Sequence, residues 1–368
     1  MGLWVAEYVG HKQARIKRNT SYIPLNMRKT DKKSLSFGIS FINAALSKVS
    51  LSSEVVDTLL AECRIPKALL VVPDARVTLA QLARFTSSLI LASGDEMLGR
   101  GRAPLPMGSR SLLMHWLVSA RTLEQVLERM QNFYLIVDKG FSFHSEVEGD
   151  QVHLIIDPPY DEDEYAADIF FVIHRILSWL CREIIAIRHL HFKLPRPDMA
   201  HEFRAVFYGA PLSFGYDRAS MTLPRSLLQK PVRQDNASLE VLLEDVYFNL
   251  FQLHFKTDSW ASEVENIISD KLNALPTLPE LAKLMKVKPY TLQRRLADEG
   301  TSYLTIKNHL KRDSAIELLI NTDLTIEEIS AKLGFSETSP FTRTFKQWVG
   351  VPPSAYREKQ NIFSAAEY

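Results

Sequence analysis

At 368 residues, the chain is long enough for about two or three domains rather than one. Its 44 Lys and Arg residues nearly balance its 43 Asp and Glu residues, which excludes a protein that holds nucleic acid by bulk positive charge. With only 2 cysteines, a disulfide framework and a cysteine-rich metal site are also excluded, and a reducing cytoplasm fits.

The first elements along the chain are a charged tail and a set of helices. Residues 1–33 are rich in Lys and Arg and have little apolar periodicity, which predicts a disordered tail rather than a basic DNA-binding arm. From Phe37 to Tyr134, apolar residues recur at helical spacing. Within this stretch Thr122 is a good N-cap, and Gln125 three residues later predicts a capping box.

The pattern then changes from helix to strand and back. After Gly140 apolar residues alternate, and residues 148–150 predict the turn of a β-hairpin. A long apolar helix is predicted over 165–186, followed by a strand over 188–194. The apolar run in that helix is too short to span a bilayer, so we expect a cytoplasmic protein with no membrane partner.

A strongly apolar helix over 238–255 ends this part of the chain. Such a helix either packs on the core or contacts a second copy of the protein, and the sequence leaves both interpretations open. Large aromatic residues at helical spacing leave a similar choice, between lining an apolar cavity and filling the core, and core is the commoner outcome. They are Trp116, Phe133, Phe170, Phe171 and Trp179.

Two short helices joined by a turn follow, which describes a helix-turn-helix. The first is predicted over 278–285, and Pro289 opens the second, where its missing N–H costs nothing. The outward positions of the second helix suit DNA, because Gln pairs with adenine, Arg with guanine, and Tyr and Thr offer apolar or hydroxyl contacts. These positions are Tyr290, Thr291, Gln293 and Arg294, with Arg295 as a further candidate.

A second unit of the same pattern lies downstream. A helix over 326–333 ends at Gly334, and Ser336 and Thr338 are both candidate N-caps of the next helix, which carries small polar residues and Arg outward. Between the two units, a helix predicted over 303–320 spans about 27 Å. Two recognition helices need centres about 34 Å apart to enter successive major grooves, so the connecting helix is a rod of suitable length.

Four strings of the sequence resemble known families. LQRRLADEGTSY at 292–303 and IEEISAKLGFSETSPFTRTFKQWVGVPPSAYR at 326–357 resemble the AraC/XylS transcription regulators. PDARVTLAQLARF at 73–85 and the stretch 201–228 resemble the "arabinose-binding" type of N-terminal domain, found in regulators of ornithine, arginine or alkane catabolism. We therefore expect a helix-rich α+β N-terminal domain with small antiparallel strands and an all-α C-terminal domain with two helix-turn-helix motifs.

The resemblance also implies a division of the chain and a set of DNA contacts. The expected segments are a basic tail (1–33), an effector-binding domain (34–235), a linker or dimer-contact helix (236–258), a DNA-binding domain (259–360) and a tail (361–368). The implied contacts come from Tyr290, Gln293 and Arg294 in the first recognition helix and from Thr338, Ser339, Thr342 and Arg343 in the second. Pro340 replaces a commonly polar residue, which predicts that the second half-site is read more weakly or mainly through phosphates.

The sequence has no complete pattern for catalysis or cofactor binding. Gly99 and Gly101 lack the third glycine and the leading strand of a dinucleotide fingerprint. His189 and His191 would share one face of a strand, without a third ligand nearby. The acidic run at 161–164 lacks the ligand spacing of a calcium loop. We expect no cofactor, no metal site and no enzymatic activity.

These observations predict a bacterial, sequence-specific transcription regulator, expected to act as an activator under control of a small-molecule effector of unknown identity and unknown binding residues. The expected partners are promoter double-stranded DNA, RNA polymerase and a second copy of the chain. Two alternatives stay open. One is a regulator without a ligand, controlled by abundance or a protein partner. The other is an enzyme fused to the DNA-binding module, which requires a reactive cysteine at Cys63 or Cys181.

Overall fold

The computed structural model describes residues 36–73, 75–140, 142–157, 166–196, 200, 203, 206–251, 253, 260–299 and 301–361. The predicted tail at 1–33 and the acidic run at 161–164 lie outside these residues. No helix within the described ranges is long and apolar enough to cross a membrane.

Helices dominate the first part of the chain, where apolar residues repeat at helical spacing. They are α1 (Ser40–Leu46), α2 (Ser53–Glu62), α3 (Leu79–Ser93), α4 (Ser109–Val118) and α5 (Leu123–Val137), with a 3-10 turn at Lys67–Val71. Two short strands, β1 (Ser36–Gly38) and β2 (Arg76–Thr78), pair antiparallel. The Thr122 hydroxyl caps α5 as predicted, but the Gln125 side chain accepts from Arg121 N instead of Thr122 N, so the predicted capping box is only half formed.

The change to a period of two marks a five-stranded sheet of order β3-β4-β7-β5-β6. Its strands are β3 (Ser142–Glu148), β4 (Gln151–Asp157), β5 (His189–Phe192), β6 (Leu212–Phe214) and β7 (Ala219–Pro224), with a 3-10 turn at Arg225–Gln229. The predicted hairpin is confirmed, since Glu148 pairs with Gln151 and Gly149 has a φ of 57°. The pairing of β5 with β6 is parallel, unlike the antiparallel pairings expected.

Helix α6 (Ala166–Cys181) lies between the sheet and the helices. The Phe170 ring is 6.3 Å from the Phe192 ring of β5, and the Phe171 ring is 4.9 Å from that of Phe251. The helix is shorter than the predicted 165–186, because Arg182 adopts a φ of 56° and turns the chain out of the helical path.

The predicted continuous helix over 238–255 is wrong. The chain forms α7 (Asn236–Glu244) and α8 (Val246–Phe251), separated by Asp245 in a non-helical conformation. The Asp245 carboxylate accepts from Phe248 N at 3.2 Å, which is the bond of an N-cap and starts a new helix. Leu239, Leu242 and Leu250 are buried, so this segment packs on the core.

From Trp260 onward, the elements of the described residues are helices. They are α9 (Trp260–Ile268) with a 3-10 turn at Ser269–Lys271, α10 (Leu278–Leu284), α11 (Pro289–Asp298), α12 (Tyr303–Asn321), α13 (Ile326–Lys332), α14 (Thr338–Val349) and α15 (Pro353–Asn361). A separate cluster of buried side chains, including Leu281, Leu292 and Leu296, holds α9 to α11 against the start of α12. Phe341, Phe345 and Tyr356 of α14 and α15 instead belong to the same buried cluster as the N-terminal helices.

Polar contacts join the second half of α12 and α15 to the N-terminal part. The Asp313 carboxylate accepts from Ser36 N of β1 at 3.1 Å and from Arg312 Nε at 2.8 Å. Arg64 donates to the carbonyl of Ile320 at 3.1 Å, and the Tyr356 hydroxyl donates to the carbonyl of Arg76 at 3.1 Å. These contacts hold α12 against β1 and the end of α2, and they hold α15 against β2.

We predict that Asp313→Ala lowers the free energy of unfolding by about 3 to 5 kcal/mol, because it leaves a buried guanidinium and a backbone N–H without their acceptor. Urea denaturation measures the change. Glu146→Ala is the matched control, since it removes an ion pair with Arg218 that lies at the surface. Similar small changes for both variants would contradict the structural role of Asp313.

We predict that the protein loses stability in mild acid because His174 is buried. Burial, and secondly the charge of Arg175, lower the pKa of His174 from its usual 6.5 to about 4. The unfolded chain therefore binds the proton first, and falling pH between about 6.5 and 4 costs about 3 kcal/mol of stability. His174→Gln can still donate to the Ile185 carbonyl, which His174 Nε2 contacts at 2.8 Å. We expect this variant to lose that share of the pH dependence in urea titrations, and an unchanged pH profile would contradict the assignment.

Candidate nucleic-acid interface

The first helix-turn-helix is built from α10 and α11. The Thr277 hydroxyl and the Glu280 carboxylate form a reciprocal capping box at the start of α10. Lys286, with a φ of 57°, turns the chain, and Pro289 occupies the first turn of α11 as predicted. Leu292 and Leu296 are fully buried, which fixes the face of α11 that is left outward.

The outward face of α11 carries the predicted DNA-contacting residues. Tyr290 is 74% exposed, and Gln293 and Arg294 are exposed beside it. Thr291 is half-buried. Arg295, the further candidate, lies with its guanidinium 5.8 Å from the centre of the Trp260 ring of α9, so its charge stacks on a neighbouring helix.

The second helix-turn-helix, α13 and α14, repeats this construction. Thr325 and Glu328 form the capping box of α13. Gly334 has the predicted left-handed conformation, with a φ of 70°, and a side chain there would lie 2.7 Å from the carbonyl oxygen of Asn273. The turn therefore requires glycine for both its conformation and its space.

The predicted N-caps of α14 are wrong. Glu337, rather than Ser336 or Thr338, occupies the N-cap position, and its side chain makes no capping hydrogen bond. The Ser330 hydroxyl donates to the Glu337 carbonyl at 3.0 Å, which holds this residue at the boundary between turn and helix. Thr338 therefore becomes the first helical residue.

On α14 the predicted residues divide by exposure. Ser339 and Arg343 are exposed, whereas Thr338 and Thr342 are half-buried, as is Pro340. Phe341 and Phe345 are fully buried on the opposite side. The outward face of α14 thus resembles that of α11 in having a polar, arginine-bearing surface over a buried apolar one.

The connecting helix α12 has 19 residues and spans about 28 Å. It contacts α9 near its start and α13, α14 and α15 farther along, so both units are packed on one element. Lys311 of this helix lies with Nζ 4.8 Å from the centre of the Phe335 ring. Burial, and secondly the charge of Lys307, lower the pKa of Lys311.

A cavity of about 150 Å³ lies inside the N-terminal part, between β1, the surrounding helices and the loop that precedes α4. Its apolar lining includes Phe37, Phe41, Leu113 and Phe171, of which only Phe171 was among the aromatic candidates named from the sequence. Arg100, Glu96, Arg110, Tyr134 and Asp168 form its polar part. Sequence reasoning missed these residues, because they come from separate elements and have no shared motif.

Burial changes the pKa values of two residues that line this cavity. It lowers the pKa of Arg110, an effect partly offset by the nearby Glu96 carboxylate, and it raises the pKa of Tyr134. Arginine nevertheless stays charged in proteins, so Arg110 remains a cation at the cavity wall.

The remaining candidates from the sequence are two histidines and the two cysteines. The His189 and His191 rings stack 4.4 Å apart on one strand face, as predicted, and the described residues hold no cluster of three or more metal-ligating side chains. Cys63 and Cys181 are both buried, and neither forms a disulfide.

The N-terminal and C-terminal parts match separate protein families. Residues 56–232 match the arabinose-binding domain of AraC transcription regulators, and residues 281–359 match a helix-turn-helix domain. A helix-turn-helix transcriptional regulator of Mycobacterium tuberculosis is 31% identical over 149 residues, which are 40% of this chain and 43% of that protein. The aligned part thus spans less than half of that relative's length.

Two further relatives align over most of this chain. The ornithine utilization regulator of Pseudomonas aeruginosa is 22% identical over 327 residues, covering 87% of this chain and 96% of that protein. The crystal structure of the transcriptional regulator CdpR from Pseudomonas aeruginosa covers 84% of this chain and 99% of its own, at 22% identity and a TM-score of 0.29.

We predict that neither cysteine reacts rapidly in the native protein. Burial raises the pKa of Cys63 to about 12 and that of Cys181 to about 11, so almost no thiolate is present at pH 8. Ellman's reagent should label neither thiol in the folded chain and both in urea, with the Cys63→Ser and Cys181→Ser variants assigning each signal. Fast labelling of either native thiol would contradict this prediction and support the alternative of a cysteine enzyme.

Proposed function

Because this chain belongs to the AraC/XylS family of transcription regulators and has an effector-binding N-terminal domain, we propose that α11 and α14 enter successive major grooves of promoter DNA. The proposed DNA-contacting residues are Tyr290, Thr291, Gln293, Arg294, Thr338, Ser339, Thr342 and Arg343. The proposed division of labour places the regulatory domain at 34–235 and the DNA-binding domain at 259–360.

The observation that carries this proposal is the exposure of polar side chains on two similarly capped units. Gln293 and Arg294 are exposed on α11, and Ser339 and Arg343 are exposed on α14. Polar and cationic side chains that project from the second helix of such a unit are those that read base edges and phosphates. The length of α12, about 28 Å, supports a separation near the 34 Å turn of B-DNA.

The two helices are expected to contribute unequally. Arg and Gln on α11 make bidentate pairs with guanine and adenine, which favours base reading by Arg294 and Gln293. On α14, Thr338 and Thr342 are half-buried and Pro340 has no polar side chain, which favours phosphate contacts with Arg343 as the main cation. The first half-site then determines most of the sequence preference.

Regulation is proposed to act through the contact between β1 and α12. An effector that changes the position of β1 would change the Ser36–Asp313 bond and with it the docking of the second helix-turn-helix. We further propose that the protein acts as a dimer with RNA polymerase as a partner, and that it has no catalytic activity. The near balance of basic and acidic residues supports dimerisation. Each chain then makes only a few contacts with DNA, and a dimer doubles them to give tight binding.

We predict that Arg294→Ala weakens binding to a DNA duplex selected by the intact protein by about 1 to 3 kcal/mol, roughly 5- to 150-fold, and relaxes the preference at one base pair. Arg343→Ala should also weaken binding, with less effect on sequence preference. Gel-shift titrations at one fixed salt concentration measure both.

The control is Arg84→Ala, which removes an exposed arginine from α3 in the N-terminal part. Its affinity for DNA should match that of the parent. Undiminished affinity in both the Arg294→Ala and Arg343→Ala variants would contradict the proposed interface.

A further inference from the structure

The two acidic side chains at the polar end of the cavity, Glu96 and Asp168, already accept hydrogen bonds from the protein. The Glu96 carboxylate accepts from Gly108 N at 2.7 Å and from Arg110 N at 2.6 Å, at the start of α4. Asp168 pairs with Arg100 at 2.6 Å. Donors of the protein thus already engage both carboxylates, and an ammonium group of a ligand would have to share their remaining lone pairs with Arg100 or with the start of α4.

Arg110, in contrast, has hydrogen-bond donors that the described residues do not use. Its guanidinium lies 4.9 Å from the centre of the Tyr247 ring and donates one hydrogen bond, to the Glu96 carbonyl. A guanidinium has five N–H donors, and the others on Arg110 have no partner among the described residues. The spare hydrogen-bonding capacity of the cavity is thus cationic and donating, so a ligand must bring acceptors.

The rest of the cavity limits the size and polarity of that ligand. Its volume of about 150 Å³ equals that of an engineered apolar cavity known to hold benzene. Phe41, Leu113 and Phe171 give it an apolar wall. This apolar wall favours a ligand whose main part is uncharged, because an unpaired charge packed against it would lose its hydration.

We propose that this cavity is the effector site and that it binds a small monocarboxylate with an uncharged apolar body, its carboxylate on Arg110. The proposal deepens the regulatory function given above and rests on it for its biological meaning. Phe37 also lines the cavity and lies next to Ser36, whose N–H binds Asp313 of α12. A ligand in the cavity therefore contacts the same strand that holds the connecting helix.

Isothermal titration of the full chain with butanoate, hexanoate and octanoate tests the proposal without DNA. 1-Hexanol and norleucine serve as controls, because they keep the six-carbon skeleton and respectively remove the carboxylate or add an ammonium group. We expect at least one carboxylate of the series to bind, and the alcohol and the amino acid to bind about tenfold or more weakly than hexanoate. Equal binding of norleucine, or no binding by any carboxylate, overturns the proposal.

Variants locate the site. Arg110→Met should weaken carboxylate binding about tenfold or more, whereas Arg84→Met, which removes an exposed arginine of α3, should not change it. Leu113→Phe adds bulk inside the cavity without touching the cation, and it should remove binding even if Arg110→Met fails to fold. Full binding by folded Leu113→Phe protein would place the ligand elsewhere and overturn the proposal.

Gel shifts on the same preparations separate the two proposals. Absent carboxylate binding with intact DNA binding would overturn the cavity assignment and leave the DNA interface standing. Carboxylate binding without any DNA binding would do the reverse.

Discussion

The buried Asp313 carboxylate makes the hydrogen bond that ties helix α12 of the C-terminal part to strand β1 of the N-terminal part. It accepts from Ser36 N of β1 and from Arg312 of its own helix, and its exposed fraction is only 5%. A buried carboxylate and guanidinium are stable only while each retains its partner. Movement of β1 away from α12 therefore carries a free-energy cost, and movement of both together does not.

The two helix-turn-helix units differ in the buried core that supports them. The first has a buried core of its own, formed by α9, α10, α11 and the start of α12. The second shares its core with the regulatory part, through Phe345 and Tyr356 among others. A change at β1 would reach the second unit directly and the first only along α12. The unit predicted to read sequence less strongly is thus the one that shares a buried core with the N-terminal part.

Local signals in the sequence predicted the helix-turn-helix units well. The Pro289 helix start, the left-handed Gly334 and the buried face of α14 all follow from neighbouring residues and a period of 3.6. Local reasoning failed where two nearby choices competed: Asp245 starts a new helix because its own carboxylate caps it, and Ser330 fixes Glu337 as the N-cap residue. The cavity and the Asp313–Ser36 bond could not be predicted from the sequence. That bond joins residues 277 positions apart, and no periodicity encodes such a pairing.

A hydroxyl-radical footprint of the intact protein on DNA selected from random sequence tests the central claim most directly. Two recognition helices on one connecting rod should protect two half-sites centred about 10 base pairs apart, both on the same face of the duplex. Arg294→Ala should then restore cleavage of the DNA backbone at one half-site while the other stays protected. A single protected patch, or two patches on opposite faces of the helix, would contradict the account.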